Sequence, residues 1–287
     1  VVVPEDTLAM INSPEIGQPI LPMGDVLSER ELLSMRDAIR ELPDRPWERR
    51  VELPDGLSAL LRHARYNRIE ALSLGAAARL DFGKLRVDGL ARIGLADGEP
   101  NAEASLVREP IGRRLAVTGY RRLAAANPEI HPFGAINSAM ALLGGRDDGE
   151  YFRTRGVELT ATNTATGRWE FRAYHERQRA ATVETSASLP RLFDGKRTFR
   201  PNIVASPATQ TGGVVTLRAS RLVSPSVTLG VESTLEAATG DFDFGRGAVV
   251  VRGHFVPGGP IAGALTLAAG TSTGEVPIQS RFFLGGA

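Results

Sequence analysis

Histidines and carboxylates are the residues of this chain that could take part in acid–base or hydrolytic chemistry. The chain has four histidines, His63, His131, His175 and His254, and none stands in a His-x-x-x-His or Glu-x-x-His pattern. A helical metal site needs ligands at such spacings on one helix face, so this sequence does not support one. Cysteine is absent, which excludes thiol catalysis and cysteine-based metal sites.

Two groups of acidic residues remain as candidate sites. Asp241 and Asp243 precede a segment that carries His254, and the three would form a hydrolytic centre if they met at one rim of a β-structure. The acidic segment Asp147–Glu150 offers oxygen ligands of the kind that calcium prefers. Solvated acidic loops give the same patterns without chemistry. The sequence therefore predicts no catalytic residue, no metal and no cofactor, with an outer-membrane hydrolase as an alternative.

Charged residues that alternate with apolar ones are the more informative set. Eleven of them fall on segments with a strand-like pattern: Arg86, Asp88, Arg92, Glu158, Glu170, Arg172, Arg218, Glu232, Glu236, Arg246 and Arg252. If these side chains face the lumen of a barrel, opposite charges on neighbouring strands can pair. The pattern predicts a wet interior of mixed charge, structural first and a selectivity surface only if the pore is open.

The segment Gly213–Gly270 shows most clearly which elements would position these charges. It reads as four consecutive strands, and in one of them Val227, Leu229 and Val231 alternate with polar or small residues. A period of two gives each strand one apolar and one polar face. Strands of about ten residues joined by turns are typical of a transmembrane β-barrel. In water the same pattern would suit half of a β-sandwich.

Ten strands are predicted by this alternation, and the segment Gln178–Thr211 adds one or two more around a long loop at Phe193–Arg200. The ten are Arg68–Phe82, Leu85–Leu95, Asn101–Arg108, Arg114–Leu123, Tyr151–Thr162, Arg168–Glu176, Val214–Arg221, Ser226–Ala237, Arg246–Phe255 and Ile261–Ala269. The apolar segment Phe133–Gly145 predicts a short helix inside a long loop. The aromatic residues Tyr151, Trp169, Phe171 and Phe255 predict lipid-facing girdles, although a sandwich core would use them equally well.

The region before the first strand has a different character. Val1–Gly24 is rich in proline and predicts an extended arm. Ser28-Glu29-Arg30-Glu31 is a capping box that opens a helix to about Leu42, and Gly56–Ala64 predicts a second helical turn. Residues 1–64 are thus predicted as an arm with short helices, either periplasmic or plugging the barrel, and residues 65–287 as the barrel.

Composition narrows the function classes. The formal net charge is +1, which gives no electrostatic case for binding nucleic acid. The uncharged run Gly253–Gly274 is long enough for a membrane helix, but Pro257–Pro260 divides it into two strands. The sequence finishes on Gly285-Gly286-Ala287 and not on a closing strand, so the barrel is predicted to be truncated at its C-terminus.

The segment Pro277–Gly286 resembles part of the bacterial surface antigen family of outer-membrane β-barrels, in the superfamily of assembly and translocation barrels. Its Phe-x-x-Gly-Gly element resembles the strand that leads into that family's inward loop, and the residues of this motif are Arg281, Phe282, Phe283, Gly285 and Gly286. Arg65–Gly75 resembles an opening barrel strand of such proteins. Arg146–Gly156 resembles the stretch before one of their mid-barrel strands.

This resemblance implies the outer membrane of a Gram-negative cell and a barrel of up to about 16 strands. It also implies outer-membrane lipid, lipopolysaccharide and other envelope proteins as partners. We therefore predict an all-β protein, an antiparallel up-and-down transmembrane β-barrel with a short N-terminal helical segment. Its predicted role is protein or solute passage or an envelope scaffold, without enzymatic activity. A soluble or surface-attached all-β binding protein is the alternative.

Overall fold

The computed structural model describes residues 50–52, 56–256 and 262–283. Contacts divide the chain into the units Val1–Pro46 and Trp47–Ala287, and every described residue belongs to the second. The predicted arm and capping-box helix, the turn at residues 257–260 and the final glycine pair lie outside the described residues.

One antiparallel sheet contains all twelve described strands. They are β1 (Arg50–Glu52), β2 (Arg65–Asn67), β3 (Ala71–Phe82), β4 (Leu85–Gly94), β5 (Pro100–Arg108), β6 (Arg113–Ala125), β7 (Tyr151–Asn163), β8 (Trp169–Ala180), β9 (Ala208–Ser224), β10 (Val227–Gly240), β11 (Phe244–Phe255) and β12 (Gly263–Gly274). From β3 to β12 each strand pairs with the next, and β1 and β2 both pair with β3. The predicted all-β, up-and-down architecture is confirmed. Within the described residues no ladder joins β12 to the first strands.

Three α-helices accompany the sheet in the described part of the chain: α1 (Gly56–Arg62), α2 (Ala135–Gly144) and α3 (Leu189–Phe193). Two short 3₁₀ turns, Pro128–Ile130 and Ile278–Ser280, complete the helical content of these residues. Helix α2 confirms the short helix predicted in the long loop. It ends at Gly145, whose φ of 65° is the left-handed conformation that favours glycine at a helix C-terminus. No helix among the described residues is long and apolar enough to cross a bilayer.

The first long strand begins later than the sequence predicts. Strand β3 starts at Ala71, whereas the alternation predicted a strand from Arg68. The side-chain oxygen of Asn67 accepts hydrogen bonds from the backbone amides of Ile69 (3.0 Å) and Glu70 (2.8 Å), which closes a tight turn. Ala71 completes the reversal with a φ of 55°. Alternation alone missed this turn because the turn residues continue the apolar–polar pattern.

For Gln178–Thr211 the predicted long loop around Phe193–Arg200 is confirmed, but the prediction of one or two further strands was wrong. Strand β8 continues to Ala180 and β9 begins at Ala208, and the described residues between them contain only the short helix α3. Prolines at positions 190 and 201 remove backbone donors that a central strand needs, which explains the irregular backbone there. The short strand β1 was not predicted.

Side chains alternate between two faces of the sheet, which we call the polar face and the apolar face. The polar face is the one that carries Glu158 and Glu236, and the apolar face carries Val157, Leu159 and Leu235. On β7 the exposed fractions are 55% for Val157, 9% for Glu158 and 45% for Leu159. On β10 they are 62% for Leu235 and 9% for Glu236. On these parts of β7 and β10 the polar side chains are the buried ones, which is the reverse of a water-soluble sandwich.

Connections differ between the two ends of the sheet, which we call the turn end and the loop end. The turn end holds the short connections 83–84, 109–112, 164–168 and 225–226. The loop end holds the connections 95–99, 126–150, 181–207 and 241–243. Two of the loop-end connections, 126–150 and 181–207, are long, and long segments at one end with tight turns at the other are usual in transmembrane barrels.

Apolar packing is concentrated at the loop end, where the long connections meet the strands. Two small clusters lie where these connections meet: Ile69 with Leu123, Tyr151 and Ala181, and Tyr66 with Ala141 and Phe199. Val183 packs against both clusters. Tyr151 is fully buried here, so its prediction as a lipid-facing girdle residue was wrong. The two clusters tie residues 126–150 and 181–207 to the turn before β3. A third cluster, Tyr174 with Ala238 and Phe244, lies beside the connection 241–243.

Candidate functional site

The eleven charged residues predicted to line a lumen share one face of the sheet. Following the pairing register from strand to strand places all of them on the polar face: Arg86, Asp88, Arg92, Glu158, Glu170, Arg172, Arg218, Glu232, Glu236, Arg246 and Arg252. Residues that are paired in an antiparallel register lie on the same face of the sheet, and so does every second residue along a strand. The alternation in the sequence is therefore sufficient to place all eleven on one face. Whether this face borders a lumen stays a prediction.

The central strands carry a ladder of alternating charges on the polar face. The guanidinium of Arg122 contacts Glu103 at 2.8 Å and Glu158 at 3.2 Å. Arg172 continues the ladder to Glu158 at 2.7 Å and to Glu176 at 3.3 Å. The ladder thus crosses from β5 to β8, and its carboxylates are occupied by pairing with arginines.

Tyrosines extend this ladder across strands that are not neighbours. Tyr120 on β6 donates a hydrogen bond to Glu176 on β8, and Gly156 on the intervening β7 faces both residues in the register. Tyr174 repeats the arrangement, donating to the carboxylate of Glu236 at 2.6 Å. Strands two apart are separated by about 10 Å, so only a long side chain lying flat over the middle strand spans the gap.

Replacing Tyr174 by phenylalanine tests this cross-strand bond. We expect the free energy of unfolding to fall by about 1–2 kcal/mol, because the buried carboxylate of Glu236 loses a donor while Arg246 at 2.5 Å remains. Urea unfolding of Tyr174→Phe, Glu236→Ala and the double variant measures the coupling. A loss in the double variant well below the sum of the two single losses would confirm the bond, and full additivity would contradict it.

Other predicted residues form smaller groups on the same face. Asp88 accepts hydrogen bonds from Arg79 and from Arg86, both at 3.0 Å, and Arg218 contacts Glu232 at 2.8 Å. The partners differ from group to group, but each group joins opposite charges at adjacent or nearby positions. The polar face is therefore stabilised by pairs of opposite charge along its whole width from β3 to β11.

The described part of the family-like motif also lies against the polar face. The backbone carbonyl of Ser280 accepts a hydrogen bond from Arg246 at 2.7 Å. The ring of Phe282 lies over Gly270 of β12, where a Cβ atom would be 2.7 Å from the ring. Arg281 donates to the carbonyl of Val276 at 3.1 Å. Of the other motif residues, Phe283 is described without a contact of this kind, and the final glycine pair is outside the described residues.

A second polar cluster, at the loop end, centres on Glu70. Arg65 donates two parallel hydrogen bonds to its carboxylate, at 2.8 and 2.9 Å, and Asn67 and Asn101 donate one each at 2.8 Å. Burial opposes ionisation of Glu70, but the hydrogen bonds and charge of Arg65 outweigh it and hold the pKa below its ordinary value. Glu70 is thus a buried carboxylate whose charge is fully matched.

Arg68, next to this cluster, is the largest of the fully buried side chains in the described residues. Its backbone amide donates to a carboxylate oxygen of Asp147 at 2.9 Å, and its guanidinium donates to the Asp147 carbonyl at 2.8 Å. The guanidinium also contacts Glu150 and Asn202, each at 3.2 Å. Burial lowers the pKa of Arg68 and the charge of Asp147 opposes that effect, yet a guanidinium remains protonated. Arg68 therefore joins the turn before β3 to both long connections.

This network was missed by sequence reasoning because its members are far apart in the chain. The acidic segment around Asp147 was considered as a calcium site, but its carboxylates face Arg68 and Arg200 and are used in ion pairs. Tyr151 donates a hydrogen bond to Asp147 at 2.8 Å, which occupies the same carboxylate further. Among the described residues no group of three histidines or carboxylates is placed to hold a metal.

The residues of the alternative hydrolytic centre do not meet. Asp241 and Asp243 lie in the connection before β11, whereas His254 is near the other end of that strand. At about 3.3 Å per residue the length of the strand places Asp243 about 35 Å from His254. Asp243 instead accepts a hydrogen bond from Thr239 at 2.6 Å, a local turn contact.

Comparison with known proteins adds no relative. A scan against models of protein families gives no match, and searches of curated proteins and of solved structures give none. The resemblance to the surface antigen barrels therefore rests on its short motifs and stays a prediction.

Proposed function

We propose that this chain forms a wall of a β-barrel in a Gram-negative outer membrane, with its apolar face in lipid. The observation that carries the proposal is the reversed burial of the strands, in which Glu158 is 9% exposed between Val157 at 55% and Leu159 at 45%. An exposed apolar surface of this kind is costly in water and favourable against acyl chains. The motif resemblance to outer-membrane surface antigen barrels points in the same direction.

The contents of the polar face favour a scaffold over an open conduit. The ladder of paired charges spans the central strands, and residues 278–282 lie against the polar face near β11 and β12. Helix α1 contacts β3. His63, the residue after the helix, comes so close to β3 that a Cβ atom added to Gly75 would lie 3.2 Å from the Cβ atom of His63. Paired charges and packed segments fill space that a conduit would leave to water. We infer an envelope scaffold, with protein or solute passage as the other role of the same barrel.

The alternative is a soluble or surface-attached all-β binding protein. Such a protein must bury its apolar strand faces against one another or against a second layer. In the described residues Val157, Leu159 and Leu235 have no such cover. The two proposals therefore differ in what touches the apolar face, and this can be measured at one residue.

Trp169 is the reporter for that measurement. It lies on the apolar face of β8, and the chain has only one other tryptophan, so Trp47→Phe leaves a single fluorophore. After reconstitution into vesicles, brominated acyl chains are expected to quench the fluorescence of Trp169 by more than about half. Bromine quenches only a fluorophore that it contacts, and on the apolar face Trp169 would lie against the acyl chains. A matched variant, Trp47→Phe/Trp169→Phe/Thr160→Trp, places the fluorophore on the polar face of β7 and is expected to be quenched far less.

The outcomes separate the alternatives. Equal quenching at positions 160 and 169, or a protein that fails to float with vesicles, would contradict the membrane proposal and favour the soluble one. If Trp169 alone is quenched, planar-bilayer recording distinguishes the two roles. A filled scaffold is expected to give no steady conductance, and a passage to give discrete conductance steps.

A further inference from the structure

Three arginines stand side by side on the apolar face near the loop end. Arg121 of β6 pairs in register with Arg155 of β7, and Arg155 pairs with Arg177 of β8. Like charges directly opposite each other destabilise a sheet. We call these three residues the arginine row. A row of this kind is energetically unfavourable unless an anion neutralises it.

A pocket of about 350 Å³ lies at this row. It is lined by Arg121, Arg122, Arg153, Thr154, Arg155, Arg177, Gln178 and Arg179. In register these residues form three successive lines across β6, β7 and β8, and the outer two lines belong to the apolar face. The middle line has its side chains on the polar face and contributes backbone to the floor. The pocket therefore opens on the apolar face, between walls of arginine.

Two carboxylates from the connection between β4 and β5 neutralise only part of this charge. Glu99 contacts Arg121 at 2.5 Å and Arg179 at 2.6 Å, and Asp97 pairs with Arg153. Hydrogen bonding from Arg179 lowers the pKa of Glu99 against the opposing effect of burial, so its charge is present at neutral pH.

Arg155 and Arg177 are the two members of the arginine row that these carboxylates do not reach. Both are exposed, and within the described residues neither makes a hydrogen bond or ion pair. Five guanidiniums thus meet two carboxylates at this pocket. The positions of Arg121 and Arg179 are fixed by Glu99, while Arg155 and Arg177 keep all their donors for a ligand.

The chemistry of the pocket matches phosphate groups. A planar guanidinium donates two parallel hydrogen bonds to a phosphate, and neighbouring strands place successive arginines about 5 Å apart. The row spans about 10 Å, which suits a head group with more than one phosphate. Val157 and Leu159 follow Arg155 on the same face, so the pocket lies directly beside the exposed apolar surface. A ligand there would have both a charged head and an apolar part.

We propose that the arginine row binds the phosphate groups of an anionic glycolipid head group while the lipid's acyl chains lie on the apolar face. The lipid as the source of the phosphate rests on the proposed function, whereas anion binding by the row does not. The row fixes the depth of the barrel wall in the bilayer, with Arg121, Arg155 and Arg177 at the level of the lipid head groups.

The test measures binding of diphosphorylated lipid A to the full chain in nanodiscs of phosphatidylcholine. We compare the original protein with Arg155→Gln/Arg177→Gln and with a matched control, Arg113→Gln/Arg221→Gln. The control removes two exposed arginines from the turn-end part of the same face. The row variant is expected to bind at least about tenfold more weakly, and the control within about twofold of the original. Equal affinity of the row variant and the original protein would overturn the proposal.

Inorganic pyrophosphate is the second probe and identifies the source of the phosphate. If it competes with lipid A at similar concentrations, the acyl chains contribute nothing and the lipid assignment is overturned. The Trp169 measurement keeps the two proposals distinguishable. If lipid quenches Trp169 but the row variant binds lipid A as tightly as the original protein, only the inference about the arginine row is overturned. Row-dependent pyrophosphate binding by a protein that does not enter vesicles overturns the membrane function and the lipid assignment but leaves the anion site.

Discussion

Replacing Arg68 by alanine is expected to lower the free energy of unfolding by about 3–5 kcal/mol. The guanidinium is completely buried, and its removal leaves the buried carboxylate of Asp147 without its cationic partner at 3.6 Å. Glu150 loses one of its two arginine partners, the contact of 3.2 Å, and keeps Arg200. A buried charge without a partner costs far more than the pair contributes. Urea unfolding in detergent measures the loss, and hydrogen exchange locates it in residues 126–150 and 181–207.

Arg146→Ala is the matched control for this prediction. Arg146 also pairs with an aspartate of the same connection, Asp148 at 2.9 Å, but both side chains are more than a third exposed. We expect a change of no more than about 1 kcal/mol, because exposed ion pairs contribute little. If Arg68→Ala were no more destabilising than this control, the loop end would not depend on its buried charge network.

The strands and their faces could be predicted from the sequence because the signal for them is local. On β7, Glu158 between Val157 and Leu159 predicts a strand with one polar and one apolar face. Because the register is unbroken, the neighbouring strands have the same two faces. Local alternation cannot say which face is buried. Burial of Glu158 depends on the length of its arginine and tyrosine neighbours on other strands, which appears only when strands are paired.

The loop-end network was not predictable, for a different reason. Arg68 reaches Asp147 and Asn202, which are 79 and 134 residues away along the chain. No local pattern links such positions. The one usable signal was Asn67, a residue that often closes turns through its own side chain, placed where a strand was expected to begin. A turn closed by Asn67 would place the start of β3 at Ala71 and Arg68 outside the strand.

The two polar regions of the described chain have different tasks in the proposed barrel. On the polar face, partners such as Arg172 and Glu158 are close in the sheet and hold neighbouring strands together. At the loop end, Arg68 holds segments that have no ladder to order them. Removing an ion pair on the polar face should therefore destabilise several strands together, whereas removing Arg68 should first unfold the long connections.

Gly156→Ala is expected to lower the free energy of unfolding by about 3 kcal/mol. An added Cβ atom would lie 2.2 Å from the carbonyl oxygen of His175 and 2.7 Å from Cα of Glu176. Both are backbone atoms of the paired strand and cannot turn aside, so β7 and β8 must separate. Separation also lengthens the bond that Tyr120 makes to Glu176 across this glycine.

The control is Gly119→Ala on the neighbouring strand β6, where an added Cβ atom meets nothing within 4 Å. Gly119 lies on the apolar face beside Val157, so its substitution is expected to be neutral or slightly stabilising, since alanine restricts the unfolded chain more than glycine. Urea unfolding of the two variants in the same detergent measures the contrast. Equal stabilities of the two variants would show that β7 and β8 are not paired in this register. The hydrogen bond from Tyr120 to Glu176 across Gly156 could then not be what joins these strands on the polar face.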